Sequence, residues 1–280
     1  MLSFSIAALI ASAFMTANPS ASRTARERAR AELTREIKQE ARRQLAASGA
    51  PGLSLRAVAR ELGMVSSAIY RYFPSRDELL TALIIDAYDA LGEAAEAADA
   101  EAAGSGTADA GTADAGTAAT SVRGRWLAVC GAIRGWALAH PHEYALIYGS
   151  PVPGYQAPQA TVASAIRVVR VLGGILADAR PGDAGGAAHA PAPPPAEQAP
   201  PEPLPSPLAE QAALVAEAIA PAVPGPVITR ALIAWTQLFG MISFELFGQF
   251  AGSLEPAGPF AAYAADQMAD FIGLPGGGPA

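Results

Sequence analysis

Between Ser54 and Leu80 two short helical patterns flank a glycine, and neither is long enough to be stable by itself. In the first, Leu55, Val58, Ala59 and Leu62 fall on one side, Ser54 is placed to cap the N-terminus, and Gly63 supplies the left-handed residue that ends it. A second helix is expected from Ser66 to about Tyr72, closed by Pro74. Ser75 and Glu78 then stand at capping-box spacing and open a longer helix expected to reach about Ala98. The two short helices must pack on something. Residues 24–48 supply it: Leu33, Ile37, Ala41 and Leu45 recur every fourth position among Arg and Glu, and Gly49-Ala50-Pro51-Gly52 stops the pattern. Length and turn chemistry together match a helix-turn-helix.

The rest of the chain is helical by composition and pattern. Hydrophobic residues are 51% of the 280, but aromatics only 7%, and the excess is mostly alanine, which favours helices over strands. Segments at 121–139, 141–149, 156–179, 208–220, 226–250 and 258–273 read as helices, with Pro141 at a first-turn position. Two stretches break the series. Residues 99–120 repeat GTADA in tandem and hold no large apolar residue, and 181–207 is dense in Pro, Ala and Gly; both are expected to be flexible. The expected architecture is all-α. An N-terminal helix-turn-helix domain (23–75), preceded by a disordered leader (1–22), is joined by a long fourth helix to a C-terminal helical bundle (76–280).

Within 226–250, Ile228, Leu232, Trp235, Phe239, Ile242, Leu246 and Phe250 form one apolar face, while Ile233, Leu238, Met241, Phe244 and Phe247 make the other side apolar too. A helix apolar all round is expected to be buried on every side. In a chain of this size that means either a central core helix or a core helix that also meets a second subunit, for which Gly240 and Gly248 allow close approach. A homodimer through 226–250 and 258–273 is the expected assembly.

Charge divides unevenly. The net charge is -7, yet residues 23–90 carry 12 basic against 9 acidic side chains, and the remainder 7 against 17. A locally basic module on an acidic protein suits contact with phosphate on one face. The single Cys130 builds no intrachain disulfide, so a reducing cytoplasm fits. The leader MLSFSIAALIASAFMTANPSAS is apolar, but no Lys or Arg precedes it as an export signal requires. No membrane is expected, because the apolar stretch between Arg230 and Glu245 is shorter than the ~20 residues of a span.

Residues Gly52 to Leu80, GLSLRAVARELGMVSSAIYRYFPSRDELL, resemble the DNA-binding signature of the tetracycline-repressor family in the Leu-Gly turn, Tyr70, the Tyr72-Phe73 pair and the run Arg76 to Leu79. The resemblance implies a dimeric regulator, in most such proteins a repressor, that reads double-stranded operator DNA and leaves it when a small molecule binds the C-terminal domain. It also implies that Arg56, Val65, Ser66, Ser67 and Tyr70 face bases while Ser54, Ala68, Tyr72 and Arg76 lie near the backbone. Physical chemistry agrees. Small residues at the start of the 66–72 helix permit close approach to the groove, Arg56 suits a bidentate guanine contact, and Arg71 and Arg76 add charge beside phosphate.

Trp235 to Gly240, and Trp126 to Tyr148, resemble the subclass of that family named for a Trp-His-Gly motif, with Phe239 where the naming histidine stands. Candidate walls of a small-molecule pocket are Trp136, Tyr144, Tyr148, Trp235, Phe239 and Glu245. The last is a carboxylate in an otherwise apolar helix and should be paired, at an edge, or used on a ligand. His140, His142 and Glu143 lack a further ligand cluster nearby, so no metal is expected, nor any cofactor. Two other classes are the alternatives: a helical enzyme using Cys130 and a histidine, for which no catalytic motif is present, and an exported helical protein whose helix-turn-helix is structural.

Overall fold

The computed structural model describes residues 25–104, 121–179 and 204–274, and every regular element among them is helical. The leader 1–22 and most of the two low-complexity stretches lie outside the described residues.

The N-terminal domain consists of α1 (Ala25–Ser48), a 3-10 turn (Ala50–Gly52), α2 (Leu55–Glu61), α3 (Ser66–Ile69) and the start of α4 (Arg76–Gly104). Its core is one apolar cluster in which Ile37 and Ala41 of α1, Val58 of α2, Ile69 of α3 and Leu79, Leu80 and Leu83 of α4 are essentially inaccessible. Local chemistry sets the helix ends. The Ser54 hydroxyl accepts from Ala57 N at 3.4 Å, and the Ser75 hydroxyl from Glu78 N at 3.1 Å. Gly63 at φ 65° turns the chain between α2 and α3, and Met64 N donates to Ala59 O.

The C-terminal bundle adds α5 (Val122–Ala139), α6 (Pro141–Tyr148), α7 (Val162–Ala165), α8 (Arg167–Asp178), α9 (Ser206–Ile219), α10 (Gly225–Leu246) and α11 (Gly258–Ile272). Trp126 of α5 sits at its centre, fully buried, with the indole N–H donating to Ala265 O at 2.9 Å. Arginines tie the helices together. Arg123 holds Asp266 and Asp270 of α11 at 2.6 Å each, and Arg125 holds Asp99 and Asp178 at 2.7 Å. Arg167 reaches Asp89, Glu93 and Glu96 on α4. It can lie across α4 because position 92 is glycine: a Cβ there would come within 2.8 Å of the Arg167 side chain.

Several expected boundaries move. The fourth helix continues to Gly104, so residues 99–104, expected to be flexible, are helical; Asp99 is held by Arg125, Ala102 is buried, and alanine keeps the backbone in helix. Residues 206 and 207, expected in the second flexible stretch, form the first turn of α9, with a proline at a position that tolerates it. The helix expected at 156–179 begins only at Val162, after an extended Pro158 and a 3-10 turn at Gln159–Thr161, and it breaks at Ile166.

α10 departs most from expectation. It stops at Leu246 instead of 250, and Gly248 sits in the following turn at φ 77°, beyond the helix. Its Ile228, Ala234, Leu238, Phe239, Met241 and Ile242 are buried, but Ile233 is 51% exposed and Phe244 55%. The helix is therefore not buried on every side. At 22 residues it is also long and apolar enough to cross a membrane, beyond what the interval between Arg230 and Glu245 suggested. Here its inner face packs against α5, α9 and α11 of the bundle.

Candidate nucleic-acid interface and regulatory site

α3 is a single turn of helix fixed from behind. Ile69 is fully buried, whereas Val65 is 73% exposed and Ser66, Ser67, Tyr70 and Arg71 are exposed with it. Ala68 and Tyr72 are half-buried. Arg56 on α2 is exposed, and among the described residues neither its guanidinium nor that of Arg71 has an ion-pair partner. An exposed valine at the start of a short helix gains nothing for stability. Together with small hydroxyls and free arginines it forms a surface suited to base edges and phosphates.

Two arginines hold this surface in place from outside it. Arg30 of α1 donates to Arg71 O at 3.1 Å and lies 5.3 Å from the Tyr72 ring centroid, a cation-π contact that closes the C-terminal end of α3. Sequence reasoning missed Arg30, since nothing in its local pattern marks a partner 41 residues away. Arg76 donates to Ala50 O at 2.7 Å and to Leu53 O at 3.2 Å. It clamps the turn before α2, and with it Ser54, to the start of α4.

The N-terminal domain meets the bundle along α6. Asp86 of α4 takes Lys38 and Arg42 of α1, each at 2.7 Å, and Arg42 also reaches Glu143 of α6 at 3.0 Å. Ile147 packs on both apolar cores. Tyr155 and Thr81 hydroxyls hydrogen-bond at 2.8 Å, and Tyr88 donates to Ile147 O. Glu143 is thereby an interdomain ion pair, while His140 stacks on Trp136 with ring centroids 5.2 Å apart.

Four of the six expected pocket residues come together. Tyr144, fully buried, donates to Phe239 O at 2.8 Å and shares a hydrogen bond with Ser243 at 2.9 Å. Tyr148 lies 4.2 Å from Phe239 between ring centroids, Trp235 5.5 Å from Phe239, and Tyr88, which sequence reasoning did not single out, 6.0 Å from Tyr148. Burial pushes the Tyr148 hydroxyl well above the ordinary phenol range and raises that of Tyr88. The Trp235 indole N–H is buried without a hydrogen-bond acceptor. Trp136 stands apart with His140, and Glu245 is paired with Arg134 of α5 at 2.7 Å. None of the six lines either of two cavities nearby. One, of about 290 Å³, lies between the α1 end and α6, walled by Leu45, Pro51, Leu146 and Phe247; the other, of about 230 Å³, lies between α5, α10 and α11.

Comparison with known proteins accords with this geometry. Residues 37–83 match the family of bacterial regulatory proteins, tetR family, and residues 126–270 match the tetracyclin repressor-like C-terminal domain. The HTH-type transcriptional regulator Rv1816 of Mycobacterium tuberculosis is 36% identical over 229 residues, 82% of this chain and 87% of the relative. Mb1846 of Mycobacterium bovis, another HTH-type transcriptional regulator, matches to the same extent. Among solved structures, SCO4313, described as a regulatory protein, superposes with a TM-score of 0.61 at 30% identity, over 89% of this chain and 98% of that one. A protein of unknown function from Rhodococcus sp. RHA1 gives 0.56 at 25% identity, over 86% and 95%. With a helix-turn-helix whose outer surface is built for DNA and a C-terminal bundle of the matching kind, the chain belongs to the tetracycline-repressor family and is a DNA-binding transcriptional regulator.

Proposed function

We propose that the protein is a cytoplasmic, non-enzymatic homodimeric repressor that leaves its operator when a small molecule occupies the C-terminal bundle. The observation that carries the DNA contacts is the exposure of Val65, Ser66, Ser67, Tyr70 and Arg71 around a fully buried Ile69. Arg56, Val65, Ser66, Ser67 and Tyr70 read bases; Ser54, Ala68, Arg71, Tyr72 and Arg76 serve the backbone, Arg76 chiefly by holding the turn that carries Ser54. The supported pairing surface is the outer stripe of α10, where Ile233, Phe244 and then Phe247 are exposed, together with Tyr263 and Phe271 of α11. Gly240, open on that stripe, lets a partner helix approach closely.

The aromatic cluster around Phe239 is the proposed inducer-sensing region, with Tyr144, Tyr148 and Trp235 as its walls; Trp136 and Glu245, also candidates from sequence, stand apart from it. An indole donor buried without a partner favours a ligand bearing an acceptor. α6 joins that cluster through Tyr144 and Tyr148 to the DNA-binding domain through Glu143, so a shift of α6 alters the spacing of two reading heads that must lie about 34 to 36 Å apart. Gel shift on DNA around the protein's own gene, at two salt concentrations with excess competitor, tests the whole reading. Specific retention by a dimer is expected, released by a compound from cell extract; retention indifferent to sequence would reject operator reading.

A further inference from the structure

Among the bundle arginines that hold a carboxylate, Arg134 is in a different situation from the others. Arg123, Arg125 and Arg167 each hold two or more carboxylates and line neither of the two cavities. Arg134 holds one carboxylate, that of Glu245, and also lines the 230 Å³ cavity between α5, α10 and α11. Its Nε and one terminal nitrogen donate to the two Glu245 oxygens, the fork arrangement in which guanidinium receives a carboxylate.

The cavity behind it is apolar. Leu127, Cys130, Leu238 and Met241 form the floor, and Cys130 is a buried thiol whose deprotonation desolvation opposes. Its mouth opens past Gly131 and Ala262, both exposed, and a side chain added at Gly131 would meet nothing within 4 Å. The chamber thus offers an apolar interior with a carboxylate receptor at its rim. Its volume falls below the roughly 300 Å³ at the low end of drug-sized sites, so it suits a compact molecule.

We propose that this cavity binds a small apolar carboxylic acid, such as a medium-chain fatty acid or a single-ring aryl acid, whose carboxylate replaces Glu245 on Arg134. The inference rests on the reading that this regulator answers a small molecule. Exchange of one carboxylate for another keeps the guanidinium paired, and the Glu245 side chain, already 15% exposed, turns outward to water. Glu245 follows Phe244 on α10, so its release acts next to the outward stripe of that helix. Acid binding is thereby coupled to the surface on which subunits pair.

Titration calorimetry on the DNA-free full chain, with octanoate and 4-phenylbutyrate against 1-octanol and 4-phenyl-1-butanol, tests the proposal. The acids are expected to bind saturably and about tenfold more tightly than the alcohols, as a charged hydrogen bond implies. Glu245→Gln should tighten the acids further. Gly131→Leu, which fills the mouth, should abolish binding of both kinds. The double variant Arg134→Gln/Glu245→Gln avoids leaving a charge unpaired and should erase the acid preference, with circular dichroism checking that it folds. Equal binding of acid and alcohol, acid preference surviving in the double variant, or no acid binding to wild type or Glu245→Gln would overturn it. The underlying reading fails separately: operator release by a neutral compound with both acids silent sinks the acid site alone, while acids that bind without any compound releasing operator sink ligand control and leave the site standing.

Discussion

Arg56 and Arg76 belong to the same small domain and stand in opposite situations. Arg56 is exposed and unengaged among the described residues, whereas Arg76 spends its guanidinium on two backbone carbonyls. Arg56→Ala should therefore leave the melting temperature unchanged, cost roughly 1 to 3 kcal/mol on operator DNA and relax preference at one base pair. Competition binding against single-base operator variants reads this directly, and unchanged preference would reject a base contact. Arg76→Ala should do the reverse. Losing hydrogen bonds from a charged donor costs about 1.5 to 3 kcal/mol of stability, visible as a lower midpoint in urea, and affinity should fall alike for all sequences. Both arginines are visible in the sequence as charges beside a helix-turn-helix, but which one is engaged by the protein's own backbone is not. That distinction depends on the folding back of Ala50 and Leu53, which no local spacing encodes.

Elements were legible wherever a periodic face coincided with a local stop signal. The helices ending at Ser48 and Glu61, and those beginning at Val122 and Pro141, fall where glycine, proline or a capping serine directs. Legibility failed where tertiary contacts decide. Alanine-rich 99–104 has no apolar face to announce a helix, and its order comes from Arg125 on another element. The two sides of α10 look alike in sequence, although one is buried and one is not, because the pattern records apolar character and not the neighbour that covers it.

The α4–α8 contact offers an element-scale prediction. Gly92→Ala should push Arg167 off α4 and break its pairs with Asp89 and Glu96, lowering stability without touching DNA specificity. The same contact is pH-dependent. Hydrogen bonding from Arg167 holds the Glu96 carboxyl below its ordinary value of 4.5, so its contribution is present above that pH and disappears as acid protonates the folded form. Since Glu96 is largely solvated, the effect is small. Arg167→Gln should flatten the acid limb of a stability profile between the folded-state pKa and about pH 4.5; an unchanged limb would discount the pair.

For the whole molecule, the two apolar cores are not independent. They share Ile147 and are tied by Arg42, Asp86 and Glu143. Calorimetry should show one transition rather than two, with Glu143→Gln lowering the DNA-binding domain's share of cooperativity; two well-separated transitions in the wild type would refute the coupling. Phe244→Glu, which places charge in the outward stripe of α10, should yield a monomer by sedimentation that retains its helical content and loses specific operator binding.

That stripe has a consequence beyond recognition. In the proposed homodimer this stripe is covered, whereas a lone subunit carries phenylalanines in water, so on that reading newly made chains are the species that chaperones and proteases encounter before pairing. With pairing as proposed, at low abundance the stock of competent pairs rises as the square of synthesis instead of in proportion to it. A regulator built this way acquires a threshold: a modest fall in its production empties the operator disproportionately, and the steepness comes from the surface of one helix.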